Sequence, residues 1–343
     1  MNDPLVSIIV PVYNAQNSVA RCLESICAQT WKNIEIILLN DGSTDESLAI
    51  CNQFREKDPR IIVVDKANEG AADTRNCGIQ LTQGKYIQFV DSDDKMEPYF
   101  TESLVQAAEE YKADLVITPY WMVIPYNSTK TGAAKEAAQI AKGLEPEAHK
   151  TEIHKYGFLP AGVYDQLAYA RRLMQQPASF YYSVLWNKLY RRDLILDNEI
   201  RFSSKVRWAE DLLFNMDYLE HANVFVSIPD AGYHYIQNAQ SICHTQINLP
   251  GIVQNKLQVF HHYKELYTRL GLYEELQPQL YKFLFAFSES ATPSYSFQTA
   301  LADAMSYLND VSVKSEPEPK EPKPSKPKIK NHARKKNPDS QLG

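Results

Sequence analysis

Tyr86-Ile87-Gln88-Phe89-Val90-Asp91-Ser92-Asp93-Asp94 is an apolar strand pattern that ends in three carboxylates within four residues. Carboxylates crowded this way repel one another, and a fold keeps them where solvent or a bound cation screens the charge. Hard cations such as Mg2+ and Mn2+ take oxygen ligands of this kind. Read alone, the run is equally a solvated turn, so its meaning depends on its surroundings.

Strand patterns at 6–11, 34–39, 61–64, 86–90 and 115–118 alternate with helical ones. This is the signature of βαβ units around a mostly parallel sheet flanked by helices, an α/β fold class. Val19, Cys22, Leu23 and Ile26 fall on one helical stripe. Ser43-Thr44-Asp45-Glu46 matches a capping box, predicting a helix with Ser43 as N-cap. Glu97-Pro98 opens another helix.

Ligands of such sheets sit outside the carboxyl ends of the strands. Here those ends carry Pro11-Val12-Tyr13-Asn14, Asn40-Asp41-Gly42-Ser43, Asp65 with Asn68-Glu69-Gly70, and Asp91-Ser92-Asp93. An aromatic ring, several carboxylates and two glycine turns therefore collect along one edge, which suits a nucleotide. Tyr13 can lie against a base or be a rim aromatic. Asp41 can accept from a pyrimidine N3-H or serve the turn before Gly42. Arg75 can approach a phosphate or be a surface helix charge, and Asp91-Ser92-Asp93 can serve ribose and metal.

The chain has 343 residues and a formal charge of −6. The stretch Val311 to Gly343 holds nine Lys/Arg against four Asp/Glu, a balance of +5, so the rest carries −6 less 5, or −11. An acidic body argues against nucleic acid as a partner. Five cysteines with no C-x-x-C pair read as reduced thiols of a cytosolic protein. Met1-Asn2-Asp3-Pro4 runs into the first strand with no charged-then-apolar leader, and no run approaches a membrane span. The expectation is a cytoplasmic protein, soluble or peripheral at the inner membrane face.

Beyond Tyr120 the pattern loosens, and 127–155 reads as an exposed, partly helical insertion. Structure resumes over Tyr181 to Leu196, with a helix near Asp211 to Glu220. The stretch from Leu249 to Leu308 reads as aromatic-rich and helical, Val259, Tyr263, Leu266 and Leu270 sharing a stripe. Its aromatics suit a core or a homo-oligomer interface. The predicted layout is an α/β domain over 1–240, with an insertion region over 121–185, a helical module over 241–312, and a Lys/Pro-rich tail over 313–343. That tail cannot build a core and is expected to be disordered. It reads as a solvated spacer, a partner-binding segment or an arm for an anionic membrane surface.

The first 120 residues resemble the inverting family 2 glycosyltransferases, which have a Rossmann-like GT-A fold, many of them acting on bacterial cell-surface glycans or glycoproteins. The resemblance rests on Val6-Ser7-Ile8-Ile9-Val10-Pro11-Val12-Tyr13-Asn14, Asn40-Asp41-Gly42-Ser43-Thr44-Asp45, Asn68-Glu69-Gly70 through Arg75-Asn76-x-Gly78, Gly84-Lys85-Tyr86, and Asp91-Ser92-Asp93-Asp94 as the D-x-D element. It implies a nucleotide-sugar donor, usually a UDP-sugar, with the base near Pro11, Tyr13 and Asp41 and further donor contacts from Asn68, Arg75, Asp91 and Ser92. It also implies a divalent metal, Mn2+ or Mg2+, bridging Asp93 and the diphosphate. Asn40 departs from the family's more frequent Asp.

Inverting transfer needs a general base for the acceptor hydroxyl. Trp208-Ala209-Glu210-Asp211 resembles the family's E-D element, in which the Asp is that base. Carboxylates at a helix start also suit the helix dipole. Tyr233-His234-Tyr235 with Ser241-Ile242 resembles an element near the diphosphate, and Trp186 to Arg192 resembles the family's W-x-K-L-Y-[KR] stretch. Glu210, His234 and Lys188 are thus candidate diphosphate or acceptor contacts. The expected acceptor is a hydroxyl of a glycan, a lipid-linked glycan or a glycosylated protein. A sugar nucleotidyltransferase would carry a Gly-rich basic loop after the first strand, and Pro11 to Ser18 has neither glycine nor Lys/Arg. A non-catalytic scaffold on this fold would be expected to lose the carboxylates.

Overall fold

The computed structural model describes residues 3–124, 151–177, 179–204, 209–237 and 249–285. Strand β1 (Val6–Val12) is almost entirely buried, as a central parallel strand covered on both faces must be. It pairs in parallel with β2 (Ile34–Asp41) and with β4 (Tyr86–Phe89), and β2 pairs in parallel with β3 (Ile61–Lys66). The crossovers are α1 (Val19–Cys27), α2 (Ser47–Lys57) and α3 (Ala71–Leu81). The predicted stripe Val19, Cys22, Leu23 and Ile26 is the buried face of α1.

The predicted capping box does not form. Helix α2 starts at Ser47, because the polar groups before it are engaged with the loop after β1. Ser43 Oγ accepts from Asn14 N at 3.0 Å, Asp45 Oδ2 accepts from Gln16 N at 3.0 Å, and Thr44 N donates to Asn14 Oδ1 at 2.9 Å. The two strand-end loops interlock, and Asp45 Oδ1 caps Ser47 N at 3.0 Å instead.

The main sheet continues past β4 through β10 (Lys188–Arg191), β6 (Leu115–Ile117), β11 (Val224–Ser227) and β9 (Gly162–Asp165). Strand β10 is antiparallel to both of its neighbours. A smaller sheet has the order β5 (Lys95–Met96), β12 (Tyr233–Ile236), β7 (Tyr120–Ile124) and β8 (Glu152–Tyr156). The stretch expected as an exposed, partly helical insertion over 127–155 ends in the exposed strand β8 rather than a helix, and 127–150 lies outside the described residues.

Helix α4 (Phe100–Tyr111) follows Glu97-Pro98 as expected. Helices α5 (Gln166–Gln175), α6 (Phe180–Ser183) and α7 (Arg192–Asp197) precede α8 (Glu210–His221). Aromatic packing fixes α8 against the sheet: Phe202 stacks on Phe214 at 4.1 Å, and Phe89 meets both edge-on at 5.6 and 5.8 Å. Such pairs each add about 0.5–1.5 kcal/mol beyond area burial. The first turn of α8 is thereby brought to the carboxyl ends of the parallel strands.

Helices α9 (Leu249–Arg269) and α10 (Tyr273–Phe285) fall in the aromatic-rich stretch read as helical. Val259, Tyr263 and Leu266 are buried, Tyr267 Oη donates to Ala170 O at 2.7 Å, and Arg269 pairs with Glu220 at 2.7 Å. Residues 286–343, including the tail, lie outside the described residues. Among the described residues no helix is long and apolar enough to cross a membrane.

Candidate active site

Register sets the first group of polar residues. Asp41 and Lys66 are partners across β2 and β3, so strand ends of opposite charge meet. Lys66 Nζ and Glu69 N donate to Asp41 Oδ1 at 2.5 and 3.0 Å, and Gly70 N donates to Asp41 Oδ2 at 2.9 Å. Burial would raise this carboxyl, but the bonds from Lys66, Glu69, Thr74 and Gly70 hold it below the usual range. Asn68 Nδ2 donates to Asp41 O at 2.9 Å, and Gly42, at φ +69°, lets Asn68 approach so closely that a Cβ would lie 2.8 Å from Asn68 N. Asn40, the departure from the family pattern, is buried and donates to Asp65 Oδ1 at 2.7 Å. Pro11 lies half-buried on β1, and Tyr13, two residues on, is half exposed.

The acidic turn divides its members. Asp91, Ser92 and Asp93 are partly exposed, whereas Asp94 is fully buried. Arg21 donates to Asp93 O, Cys22 Sγ lies 3.5 Å from Asp91 O, and Asp91 N donates to Tyr233 Oη at 3.1 Å. Burial and then the neighbouring Asp91 push the Asp93 carboxyl up to about 6. Among the described residues no three His, Cys, Asp or Glu side chains converge as a metal cage. Mg2+ needs no such cage, since it keeps several waters and binds through one or two carboxylates plus phosphate oxygens. A partly exposed Asp93 whose ionisation is made costly by burial and by the neighbouring Asp91 fits a divalent cation of this kind.

Arg75 joins the turn to the far part of the chain. Its Nη2 donates to Asp91 Oδ1 and its Nη1 to Asp211 Oδ1, both at 3.1 Å. Arg75 is 7% exposed and its guanidinium lies over the Phe202 ring at 5.7 Å, which makes it a fixed fork rather than a surface helix charge. Burial, then Glu210 and Asp91, push the Asp211 carboxyl up to about 7 against the pull of Arg75. Glu210 Oε2 is buried with no hydrogen-bond partner among the described residues.

Two other candidates are engaged elsewhere. Side chains alternate along a strand, so Tyr233 faces the acidic turn and His234 the opposite face. His234 Nε2 pairs with Glu97 Oε1 at 2.6 Å, and its ring stacks on Trp121. Lys188 is fully buried: its Nζ donates to Val184 O, to Asn187 Oδ1 at 2.9 Å and to Tyr181 O at 3.4 Å. Burial pushes it well below the ordinary lysine range, against the opposing charge of Asp211. Its side chain is a buried strut that ties the loop between α6 and β10 together. Trp208 and Ser241-Ile242 lie outside the described residues. The sequence reading passed over Lys66, Tyr233 and Arg21, of which only Tyr233 lay within a quoted motif.

The chain matches the model of glycosyl transferase family 2 over residues 7–171. It is 45% identical over 119 residues to glycosyltransferase GlyA of Streptococcus pneumoniae, an alignment spanning 35% of this chain and 17% of that protein. It is 30% identical over 268 residues to the uncharacterized glycosyltransferase EpsJ of Bacillus subtilis, spanning 76% of this chain and 71% of that one. Among solved structures, S. aureus TarS 1-349 in complex with UDP-GlcNAc superposes with a TM-score of 0.63 at 20% identity, covering 88% of this chain and 80% of that one. With the GT-A fold shared and an aligned relative covered over most of its length, the chain is a glycosyltransferase and belongs to family 2.

Proposed function

We propose that this protein transfers one sugar from a nucleoside diphosphate donor, a UDP-sugar, to a hydroxyl of a glycan, a lipid-linked glycan or a glycosylated protein, with inversion at the anomeric carbon. The observation that carries the reading is the Arg75 fork, which puts a strand-end carboxylate, Asp91, and a helix-start carboxylate, Asp211, on one guanidinium. An inverting displacement needs such a pairing of donor and acceptor ends. In the step proposed, Asp211 takes the proton of the acceptor hydroxyl while its oxygen bonds to the anomeric carbon. The bond from that carbon to the phosphate oxygen breaks, and the diphosphate leaves with the electron pair.

A carboxyl poised at about 7 is well matched to a base at neutral pH. On the donor side, Asp41 is ordered by Lys66 and two backbone N–H groups, and its Oδ2 has a further lone pair for a base N–H. Asn68 holds that loop, Tyr13 offers a ring face to the base, and Asp91 with Ser92 faces the ribose. Glu210 Oε2, buried without a partner among the described residues, offers an acceptor atom to a sugar hydroxyl. A divalent cation held by Asp93 would neutralise charge developing on the departing diphosphate. The UDP-GlcNAc complex of TarS supports the choice of donor class.

The test is a panel of UDP-, GDP- and dTDP-sugars assayed for donor hydrolysis with Mn2+ and with EDTA. Metal-dependent hydrolysis of a UDP-sugar is expected. Turnover and UDP binding that survive chelation unchanged would sink the metal assignment, and a preference for another nucleotide would sink the donor assignment.

A further inference from the structure

Asp94 is the carboxylate of the acidic turn that points away from solvent. Its Oδ2 accepts from Tyr233 Oη and its Oδ1 from Ile236 N, both at 2.8 Å. The same Tyr233 oxygen accepts from Asp91 N at 3.1 Å, so one phenol links the buried carboxylate to the peptide that begins the turn. Tyr233 is itself fully buried, its ring stacked on Trp186 at 4.4 Å and 9°. Arg21 and Cys22 reach the carbonyls of the turn from α1, and Arg75 holds the Asp91 carboxylate. Tyr233 is the anchor on its N–H side.

We propose that Asp94 and Tyr233 are positioning residues that set the backbone of the acidic turn, so that Asp91 presents its carboxylate to the ribose and Asp93 to the diphosphate and its cation. Asp94 is then not a third ligand. Three carboxylates within four residues push the turn open by repulsion, and that opening is opposed by fixed partners on both sides of the turn. Asp94 acts through the Tyr233 hydroxyl, and burial keeps both groups from exchanging these bonds for water. The inference rests on the donor-site reading given above.

Tyr233→Phe keeps the ring and its stack on Trp186 and removes only the hydroxyl. Calorimetric titration of the full chain with UDP in the presence of Mn2+, and titration with Mn2+ alone followed by electron paramagnetic resonance, give Kd and the number of sites separately. The expected result is a Kd for UDP weakened about tenfold, in line with loss of a hydrogen bond to a charged group. The Mn2+ Kd is expected to weaken in the same direction with the number of sites kept. A role confined to stability would lower the number of competent sites and leave Kd unchanged, which overturns the proposal. Asp94→Asn, which places an amide against one of the two donors, is expected to weaken both in parallel. If it abolishes Mn2+ binding while Tyr233→Phe binds within about twofold of wild type, Asp94 is a ligand and the proposal is wrong. Wild-type protein that binds no UDP with Mn2+ removes the donor-site reading and this inference with it.

Discussion

Arg75 and Asp211 stand 136 positions apart in the chain and meet at 3.1 Å, with Asp91 on the other arm of the same guanidinium. Helix α3 thereby ties the end of β4 to the start of α8. The buried fork carries one positive charge against three nearby carboxylates, Asp91, Asp211 and Glu210. Its raised pKa keeps it charged at every accessible pH, and burial works against that while the carboxylates dominate.

Removing the fork should therefore cost stability. Breaking a fully buried ion pair costs about 3–5 kcal/mol, and partners that keep about a third of their exposure reduce that. Arg75→Ala is expected to lower unfolding free energy by about 2–3 kcal/mol. Arg75→Lys should recover less than half, since one ammonium cannot bond both carboxylates in the fork geometry. Urea denaturation of the two variants checks this, and equal stabilities of Arg75→Lys and wild type would remove the fork argument.

Asp211→Asn isolates the base. The amide keeps the size of the side chain and an oxygen for Arg75 Nη1, but it takes no proton from an acceptor hydroxyl. Loss of a general base costs about 10²–10⁴ in rate, so kcat should fall by that order while the Kd for UDP stays put. Transfer retained near wild-type rate would assign the base elsewhere.

The same carboxyl sets a pH dependence with opposite signs for stability and activity. Its folded pKa, pushed up to about 7 mainly by burial, lies above the value of about 4 in an unfolded chain. Between those values the folded state holds a proton that the unfolded state has released, so stability falls as pH rises through this window and the contribution is gone above about 7. Activity needs the ionised base, so kcat/KM should rise with unit slope to a plateau above about 7. A profile flat from about pH 5 upward, the range of an ordinary carboxylate, would contradict the assignment.

The sequence carried the parallel half of the fold clearly, because β1, β2 and β4 are buried runs and α1 has a clean apolar stripe. It failed at Ser43–Glu46 because a capping box is judged within one loop. Here the loop after β1, with Asn14 at φ 48°, takes the Ser43 hydroxyl. Strand β10 was not read as part of the main sheet because it is antiparallel and comes from a segment far along the chain. Lys188 and His234 were read as possible ligand contacts from motif likeness alone. The His234 contact is tertiary, with Glu97 lying 137 positions away, whereas Lys188 is fixed by carbonyls four and seven residues before it, in a local turn that motif likeness does not show. Asp41 was legible by position, but its ordering by Lys66 was not, because that contact needs the register of β2 against β3.

Gly78 offers a test of how tightly α3, and so Arg75, is set against the sheet. A Cβ there would lie 2.7 Å from Ile9 Cγ2 and 3.1 Å from Leu39 Cδ1. Both neighbours are fully buried in central strands, so neither has room to yield. Replacing Gly by Ala in a helix interior gains about 1 kcal/mol in propensity, and overpacking a core costs about 1–3 kcal/mol. With both contacts inside van der Waals range the overpacking is expected to win, giving Gly78→Ala a net loss of up to about 2 kcal/mol. Relief by an outward shift of α3 would carry Arg75 away from Asp91 and Asp211, whose bonds at 3.1 Å have little slack. Activity per folded molecule should therefore fall as well, which a loss of stability alone does not cause. Thermal melts paired with kcat measured well below the melting temperature separate the two effects, and a variant that melts at or above wild type would show that the core at Ile9 yields.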